Sequence, residues 1–547
     1  MRWKAAAILV VLMFLSAASH AQTVSLDQTR DAIREGCERL MKTQQPDGSF
    51  VLDKHFFEVS TAYVFPVGQT ALAVLALQHA LPHLSGETYA DAEAAIQKGL
   101  AYITQRKPEA LTYSAGLVIS VLYKADPTKH RRLIGLYAEM LVLSQQTTGR
   151  DVGFWGYYLH YPPRLQSRGE APRAFGRADH SNTQFAVLGL YYAQLAGFQI
   201  PERTWLLLRK HYLDFQNQDG GWHYGPTYAP KESNANMTLV CTISLAICNE
   251  MLGDRHEQCK PTPESRPVEA GLAWVAANLD YDQLETYGFY ATERLGILSG
   301  FSEFGGKSWF DEGASRLVKD RRWRARNAQA PGQEVGAAFA VLFLARGLEP
   351  VIINKLKRQG DWNNHLHDVK HLVEYVSDRF QKPKQWRIVT LDADVDFLLR
   401  VPILWISGHD PLNFSDAEKA KLKAYVERGG TLLGEACCSK KAFDDSFRKL
   451  LASLWPGSEL REIRKDHPIY TDPRPLRTLR PKILGLASDG GQGRFSVLYL
   501  PNGISCQWER GGSTATPAFD VVTNIVFYVE KTRQKPEAAP TAPTAKP

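Results

Sequence analysis

Cysteine is scarce in this 547-residue chain, and its seven positions keep no regular spacing: Cys37, Cys241, Cys248, Cys259, Cys437, Cys438 and Cys506. That scarcity excludes a disulfide-framed scaffold. Without a C-x-x-C pair, the sequence predicts no metal site and no cofactor. Cys241 and Cys248 lie in one apolar helical run and read as buried thiols. No disulfide pairing can be chosen from spacing. Long hydrophobic runs are also missing after the start of the chain, so no transmembrane helix is expected, because a span needs about 20 residues. Nor is there a marked charge of one sign: 65 basic against 58 acidic residues leave a formal +7. This balance gives no expectation of nucleic-acid binding. The densest basic cluster, Lys319 to Arg326 ("KDRRWRAR"), reads as a solvated helix face.

What is present begins with an export signal. Arg2 and Lys4 precede an apolar run from Ala5 to Ala18, and Ser19-His20-Ala21 supplies small residues at the positions that a signal peptidase requires before Gln22. A Pro/Ala-rich tail from Lys531 reads as disordered. Between these ends, 44% apolar residues allow large cores, and the length predicts more than one domain.

The first two thirds repeat. "QQPDGSF" sets Gln44, Asp47-Gly48 and Phe50 at the spacing that "QNQDGGW" gives to Gln216, Asp219-Gly220 and Trp222, and a looser copy holds Gln145, Gly153 and Trp155. Each copy follows an amphipathic segment. Helices that are apolar almost all round come next: 69–81, 182–196, 236–247 and 334–348. Helices with one wet face belong outside, and all-round apolar ones inside. Pairs beginning near Ile33, Ala94, Leu133, Trp205, Val268 and Ser308 predict twelve helices in two concentric rings, with an open α-solenoid as the alternative. In the loops, Gln is expected to hydrogen-bond free amides at a helix start while the ring packs beneath.

These Gln–aromatic loops resemble the QW motif of squalene–hopene cyclases and the prenyltransferase/squalene-oxidase repeat family, over roughly Ile33 to Leu348. The resemblance implies an α/α toroid. The family's acidic Asp-x-Asp-Asp motif does not occur in that stretch. Asp179, His180 and Cys241 do not match the zinc-binding Asp-x-Cys element of the prenyltransferases either. What is left for a ligand is the polar rim where buried helices begin. The candidate ligand-binding residues are Asp179, His180 and Asn182 on one helix, and Tyr287, Tyr290 and Glu293 on another. Helix capping is the competing reading of the Asp and Asn residues.

From Pro350 the pattern changes to short apolar strands (351–357, 386–391, 402–407, 431–434) alternating with helices (366–380, 415–429, 444–455), which predicts a mostly parallel sheet covered on both faces. Residues 494–500 and 503–509 read as a late hairpin across Pro501-Asn502. The motifs "GDWNN", "SGHDPLNFS", "YVERGGTLLGEACCS" and "HPIY" resemble an uncharacterised bacterial domain of unknown function in the class I glutamine-amidotransferase-like group, from about Val351 to Glu530. Ligands gather beyond the carboxyl ends of parallel strands, which collects Asp392, His409 with Asp410, and Glu435 with Cys437-Cys438; of these, His409, Glu435 and Cys438 are the candidate catalytic residues. The amidotransferase elbow Gly-x-Cys-x-Gly is missing from "GEACCSK", and Glu435 opposes thiolate formation nearby.

The expectation is therefore a signal peptide (1–21), an α/α toroid of six helix pairs (22–349), an α/β flavodoxin-like, glutamine-amidotransferase-like domain (350–530) and a tail (531–547). The expected role is binding or scaffolding in the periplasm or cell envelope, toward an envelope protein, a glycan or a lipid. Two alternatives stand beside it: a hydrolase or amidase built on His409 and Cys438, and isoprenoid or lipid binding in an apolar toroid cavity.

Overall fold

The computed structural model describes residues 24–53, 65–166, 177–253, 259, 265–323, 334–487 and 494–533. The expected signal peptide and nearly all of the expected tail lie outside them. No helix among the described residues is long and apolar enough to cross a membrane.

Among the described residues the N-terminal region holds twelve α-helices: α1 (Leu26–Met41), α2 (Pro66–Ala80), α3 (Gly86–Gln105), α4 (Thr112–Ala125), α5 (Arg131–Ser144), α6 (His180–Leu195), α7 (Glu202–Asp214), α8 (Ala235–Met251), α9 (Arg266–Asn278), α10 (Thr286–Ser299), α11 (Trp309–Lys319) and α12 (Val335–Gly347). The even-numbered helices are buried along most of their length, as their sequence requires. They touch in the order α2–α4–α6–α8–α10–α12, and α12 returns to α2. The ring is therefore closed, and an open solenoid is excluded. Outside, Arg39 of α1 pairs with Glu334 (2.7 Å) and donates to the Arg321 carbonyl (2.7 Å), sealing first repeat to last.

The three Gln–aromatic loops share one geometry. Gln216 Nε2 donates to Gly220 O and to Pro267 O in the next outer helix, both at 2.8 Å. Gln44 does the same toward Gly48 and Ala95, and Gln145 toward Gly153 and Thr204. The glutamine thus bridges carbonyls, not the free amides expected from sequence. Its NH₂ supplies two donors, and each carbonyl has a lone pair to spare. Trp222 is fully buried and donates Nε1 to Tyr212 O at 2.9 Å. Gly220 has φ +89, and a Cβ there would lie 2.7 Å from the Ala270 carbonyl, so glycine is needed both for the turn and for the close approach.

A two-stranded ribbon, β1 (Glu303–Phe304) and β2 (Lys307–Ser308), precedes α11. The C-terminal region is a seven-stranded sheet of β3 (Val351–Leu356), β4 (Gln385–Val389), β5 (Ile403–Gly408), β6 (Thr431–Ala436), β7 (Arg461–Glu462), β8 (Leu484–Ala487) and β9 (Phe495–Leu500), in the order β4-β3-β5-β6-β9-β8-β7. The first five are parallel; β8 pairs antiparallel with β9, and β7 antiparallel with β8. Side chains alternate across it. Trp405, Leu433 and Leu498 face α13 (Asp368–Phe380), while Leu404, Leu432 and Val497 face α14 (Val395–Leu399), α15 (Asp416–Glu427) and α16 (Lys441–Leu454). The short α17 (Pro468–Thr471), α18 (Ser505–Arg510) and α19 (Thr516–Thr532) complete the α13 side.

The expected hairpin is not formed. Residues 494–500 pair in parallel with β6, and 505–510 turn into α18, because burying Trp508 under the sheet needs a helix that folds back. The last helix also runs to Thr532, past the expected boundary at 530.

The two regions pack directly together. Ile388 N donates to Gly300 O at 2.6 Å. Lys370 of α13, 4% exposed, lies 2.7 Å from both Glu250 of α8 and the Tyr191 hydroxyl of α6.

Candidate metal centre

Strand register builds the site. β5 and β6 end side by side with Gly408 opposite Ala436, so the next residues, His409 and Cys437, emerge as neighbours at the carboxyl edge of the sheet. His409 Nε2 lies 3.2 Å from Cys437 Sγ. An extended chain would send the adjacent Cys438 to the opposite side. Instead Cys438 and Ser439 both take left-handed backbone (φ +52 and +55), which turns the second sulfur back to 3.7 Å from the first. Such a conformation costs about 1–3 kcal/mol for each non-glycine residue, and two occur in succession at this edge.

Two more sulfurs arrive from elsewhere. Gly503 lies against the elbow, where a Cβ would meet Cys438 N at 2.8 Å. That close approach brings Cys506, in the first turn of α18, to 3.6 Å from Cys438. Cys259, from the chain between α8 and α9, lies 3.3 Å from Cys438 and 3.6 Å from Cys506. The remaining sulfur pairs, Cys437 with Cys259 and with Cys506, fall within 4.8 Å. The four thiols occupy the corners of a small tetrahedron, flanked by His409 on one side and His365 on the other.

The surrounding groups position this cluster. Asp361 accepts from His409 N at 2.8 Å, and its carboxylate lies 3.6 Å from Nδ1. Burial lowers the His409 pKa, keeping a neutral ring with Nε2 toward the sulfurs. Glu435 is fully buried beneath the elbow and accepts from Ile504 N (3.1 Å), Ser505 N (3.2 Å) and the Ser505 hydroxyl. It anchors the start of α18 and so places Cys506; burial pushes its carboxyl up to about 7. Ser505 Oγ also contacts His365 Nδ1 at 3.2 Å. Within the cluster the thiols share one charge. The Cys506 thiol is pulled down by hydrogen bonds from Cys437 and His365, while Cys437 is pushed up by its bond to Cys506 and by burial. Burial pushes Cys259 up as well. The Cys506 thiolate forms readily, while Cys259 and Cys437 give up their protons only to a cation.

The residues singled out from sequence divide sharply. His409, Glu435 and Cys438 do converge, but His409 meets Cys437, and Glu435 is structural. In the toroid, Asp179 caps α6 by accepting from Asn182 N (2.7 Å) and Asn182 Nδ2 (2.9 Å), and burial raises its carboxyl to about 6. His180 is fully buried, contacts His223 O, and is lowered to about 3 by burial. Tyr287 receives a hydrogen bond from Gln184 at 3.2 Å. His180 Nε2 and Asn182 Oδ1 keep no hydrogen-bond partner among the described residues. The cavity inside the ring is lined further along the helices, and of the six candidates only Tyr290 lines it; Glu293 is tied to the lining residue Arg346 at 2.7 Å.

Sequence reasoning placed Cys437 at the strand edge but did not join Cys259, Cys506 and His365 to it, and it expected no metal. Their separation along the chain carries no spacing signal. Only strand register, visible once β5 and β6 are paired, would have matched His409 with Cys437.

Residues 352–529 match the family described as "Domain of unknown function (DUF4159)". No curated protein matches the chain. Among solved structures, the chain is similar to the GH76A α-1,6-mannanase of Salegentibacter sp. HEL1_6 (9% identity, TM-score 0.39, covering 59% of this chain and 98% of that one). It is also similar to the type II terpene cyclase MstE of Scytonema in complex with geranylgeranyl dihydroxybenzoate (12% identity, TM-score 0.36, covering 58% and 96%). At these scores nothing about ligand or reaction is transferred.

Proposed function

We propose that this is an exported metal-binding protein in which a zinc ion, held by Cys259, Cys437, Cys438 and Cys506, joins the toroid to the α/β domain. One observation carries the reading: four sulfurs from three distant chain segments lie mutually within 4.8 Å. Tetrahedral zinc with bonds of about 2.3 Å sets ligand sulfurs about 3.8 Å apart, close to the 3.3–3.7 Å that separates four of the six sulfur pairs. Soft thiolates select zinc or copper(I) over calcium or magnesium. His409, oriented by Asp361, and His365, beside Ser505, serve as outer-shell partners of the ligand sulfurs. Because Cys259 comes from the toroid and the other three from the α/β domain, the ion works as a cross-link, which fits a binding or scaffold role in the periplasm or cell envelope.

The α/β region supports a flavodoxin-like reading through its parallel order, in which the second strand precedes the first and the third, fourth and fifth follow. The hydrolase alternative is weaker. The thiol that His409 touches is fully buried and pushed up in pKa, whereas a nucleophile must be exposed and pushed down. The alternative of a hydrocarbon ligand in the toroid fits poorly too, since the cavity there carries three cationic side chains.

Elemental analysis of protein purified under reducing conditions tests the proposal. It predicts one zinc per chain, lost in a Cys437→Ser/Cys506→Ser double variant. Stoichiometric disulfides by thiol counting, with no bound metal after zinc is offered to the reduced protein, would replace the metal reading with a redox one.

A further inference from the structure

Inside the toroid, α2, α4, α6, α10 and α12 enclose a cavity of about 160 Å³. Three cations line it: Lys124, Arg294 and Arg346. Arg294 is 3% exposed; its Nη1 donates to the Tyr290 hydroxyl at 2.8 Å, while Nε and Nη2 have no partner among the described residues. Arg346 spends Nη1 on Glu293 and leaves Nε unpartnered. Lys124 has no hydrogen-bond or ion-pair partner among the described residues. The nearby carboxylates are already engaged: Glu293 with Arg346, and Glu349 with His79 (3.2 Å) and Gln385 (3.1 Å). A buried guanidinium with two idle donors is costly unless something accepts from it. Tyr123, Tyr192 and Tyr290 bring aromatic rings to the wall, beside Leu75, Leu342, His79 and Ser120.

We propose that this cavity is a second ligand site, distinct from the cysteine cluster, for a small organic anion bearing a carboxylate or phosphate group. The anionic head accepts from Arg294 Nε and Nη2, a fork that matches two oxygens of one acidic group. Lys124 and Arg346 add charge, and the apolar or aromatic body of the ligand lies against the tyrosine rings. Burial raises Glu293 to about 7, which weakens its competition for the guanidinium groups.

Isothermal titration calorimetry on the full chain tests this with phenyl phosphate, benzoate and inorganic phosphate as probes. Saturable one-site binding of phenyl phosphate or benzoate is expected, and which of the two binds tells phosphate from carboxylate. Removing a charged hydrogen-bond partner costs roughly a factor of 10–100, so Arg294→Gln should weaken binding at least tenfold. Lys124→Met, which leaves no buried group unpaired, should also weaken it and keeps the test alive should Arg294→Gln fail to fold. The exposed Lys441→Met is the control for non-specific attraction. No saturation by any of the three probes would overturn the proposal, as would binding indifferent to both cavity substitutions. Inorganic phosphate binding more tightly than both organic probes would overturn the assignment of the aromatic wall.

Discussion

Replacing Cys506 by alanine removes one corner of the sulfur tetrahedron and should reveal how much each corner holds. Structural zinc in Cys-rich sites binds with apparent free energies of about 10–16 kcal/mol at neutral pH. Shared over four thiolates, that is about 2.5–4 kcal/mol each, or roughly a 10²–10³-fold loss of affinity. Cys506 is the informative corner, because it is the thiol whose pKa the cluster pulls down, through Cys437 and His365. Because that thiol is already ionised, zinc displaces no proton from it, and removing it leaves the number of protons displaced unchanged. The loss should therefore be nearly independent of pH, whereas removing a corner that carries its proton would give a loss that shrinks as pH falls. The assay is competition for zinc against a chromogenic chelator, run at several pH values on wild type and on Cys506→Ala. Circular dichroism on both proteins establishes that the variant is folded. Equal affinity at every pH in folded protein would refute the reasoning, for it would mean that Cys506 lies beside a metal held by other groups, or that no metal is held.

Three further outcomes follow from other parts of the molecule. Trp222→Ala empties a fully buried indole and leaves the Tyr212 carbonyl without its donor; denaturant unfolding should show a loss of about 3–5 kcal/mol, and wild-type stability would mean that the loop is not a staple. Lys370→Ala leaves Glu250 buried without its closest cation, so stability should fall by about 3–5 kcal/mol, with limited proteolysis revealing separation of the two regions; an unchanged digestion pattern would contradict the packing account. Glu293, fully buried, has its carboxyl raised from 4.5 to about 7. The folded chain thus binds this proton more tightly than the unfolded chain, and stability should fall as pH rises from about 4.5 to about 7. Glu293→Gln should remove roughly 3 kcal/mol of that fall, leaving the parts due to Glu435 and Asp179, whose carboxyls burial raises as well; an unaltered fall would show that Glu293 does not titrate there.

The toroid was legible because its signals are local and repeated. All six outer helices stand where amphipathic segments at Ile33, Ala94, Leu133, Trp205, Val268 and Ser308 placed them, since a stripe of period 3.6 needs no knowledge of its partner. Two inner helices, α4 and α10, went unmarked among the all-round apolar runs: Tyr113, Ser114 and Ser120 dilute the first, and Glu293 and Arg294 the second. Of these polar groups, Tyr113 and Glu293 find their partners on neighbouring inner helices, at Ser181 and Arg346. In the α/β region, strands β3 to β6 were readable as apolar runs. The misread stretch at 503–509 shows where local pattern fails, because Cys506 and Trp508 alternate as in a strand yet fold into α18. The metal centre was the least legible part. Cys259 and Cys506 are 247 residues apart in sequence, and what unites them is a long-range packing decision: Gly503 allowing a close backbone approach to the Cys437–Cys438 elbow.

X-ray absorption at the zinc edge, on reduced full-length protein loaded with one equivalent of zinc, measures the ligand set itself. The account predicts a first shell of four sulfurs at about 2.3 Å, falling to three in Cys506→Ala. A first shell of only nitrogen and oxygen at about 2.0–2.2 Å would contradict it.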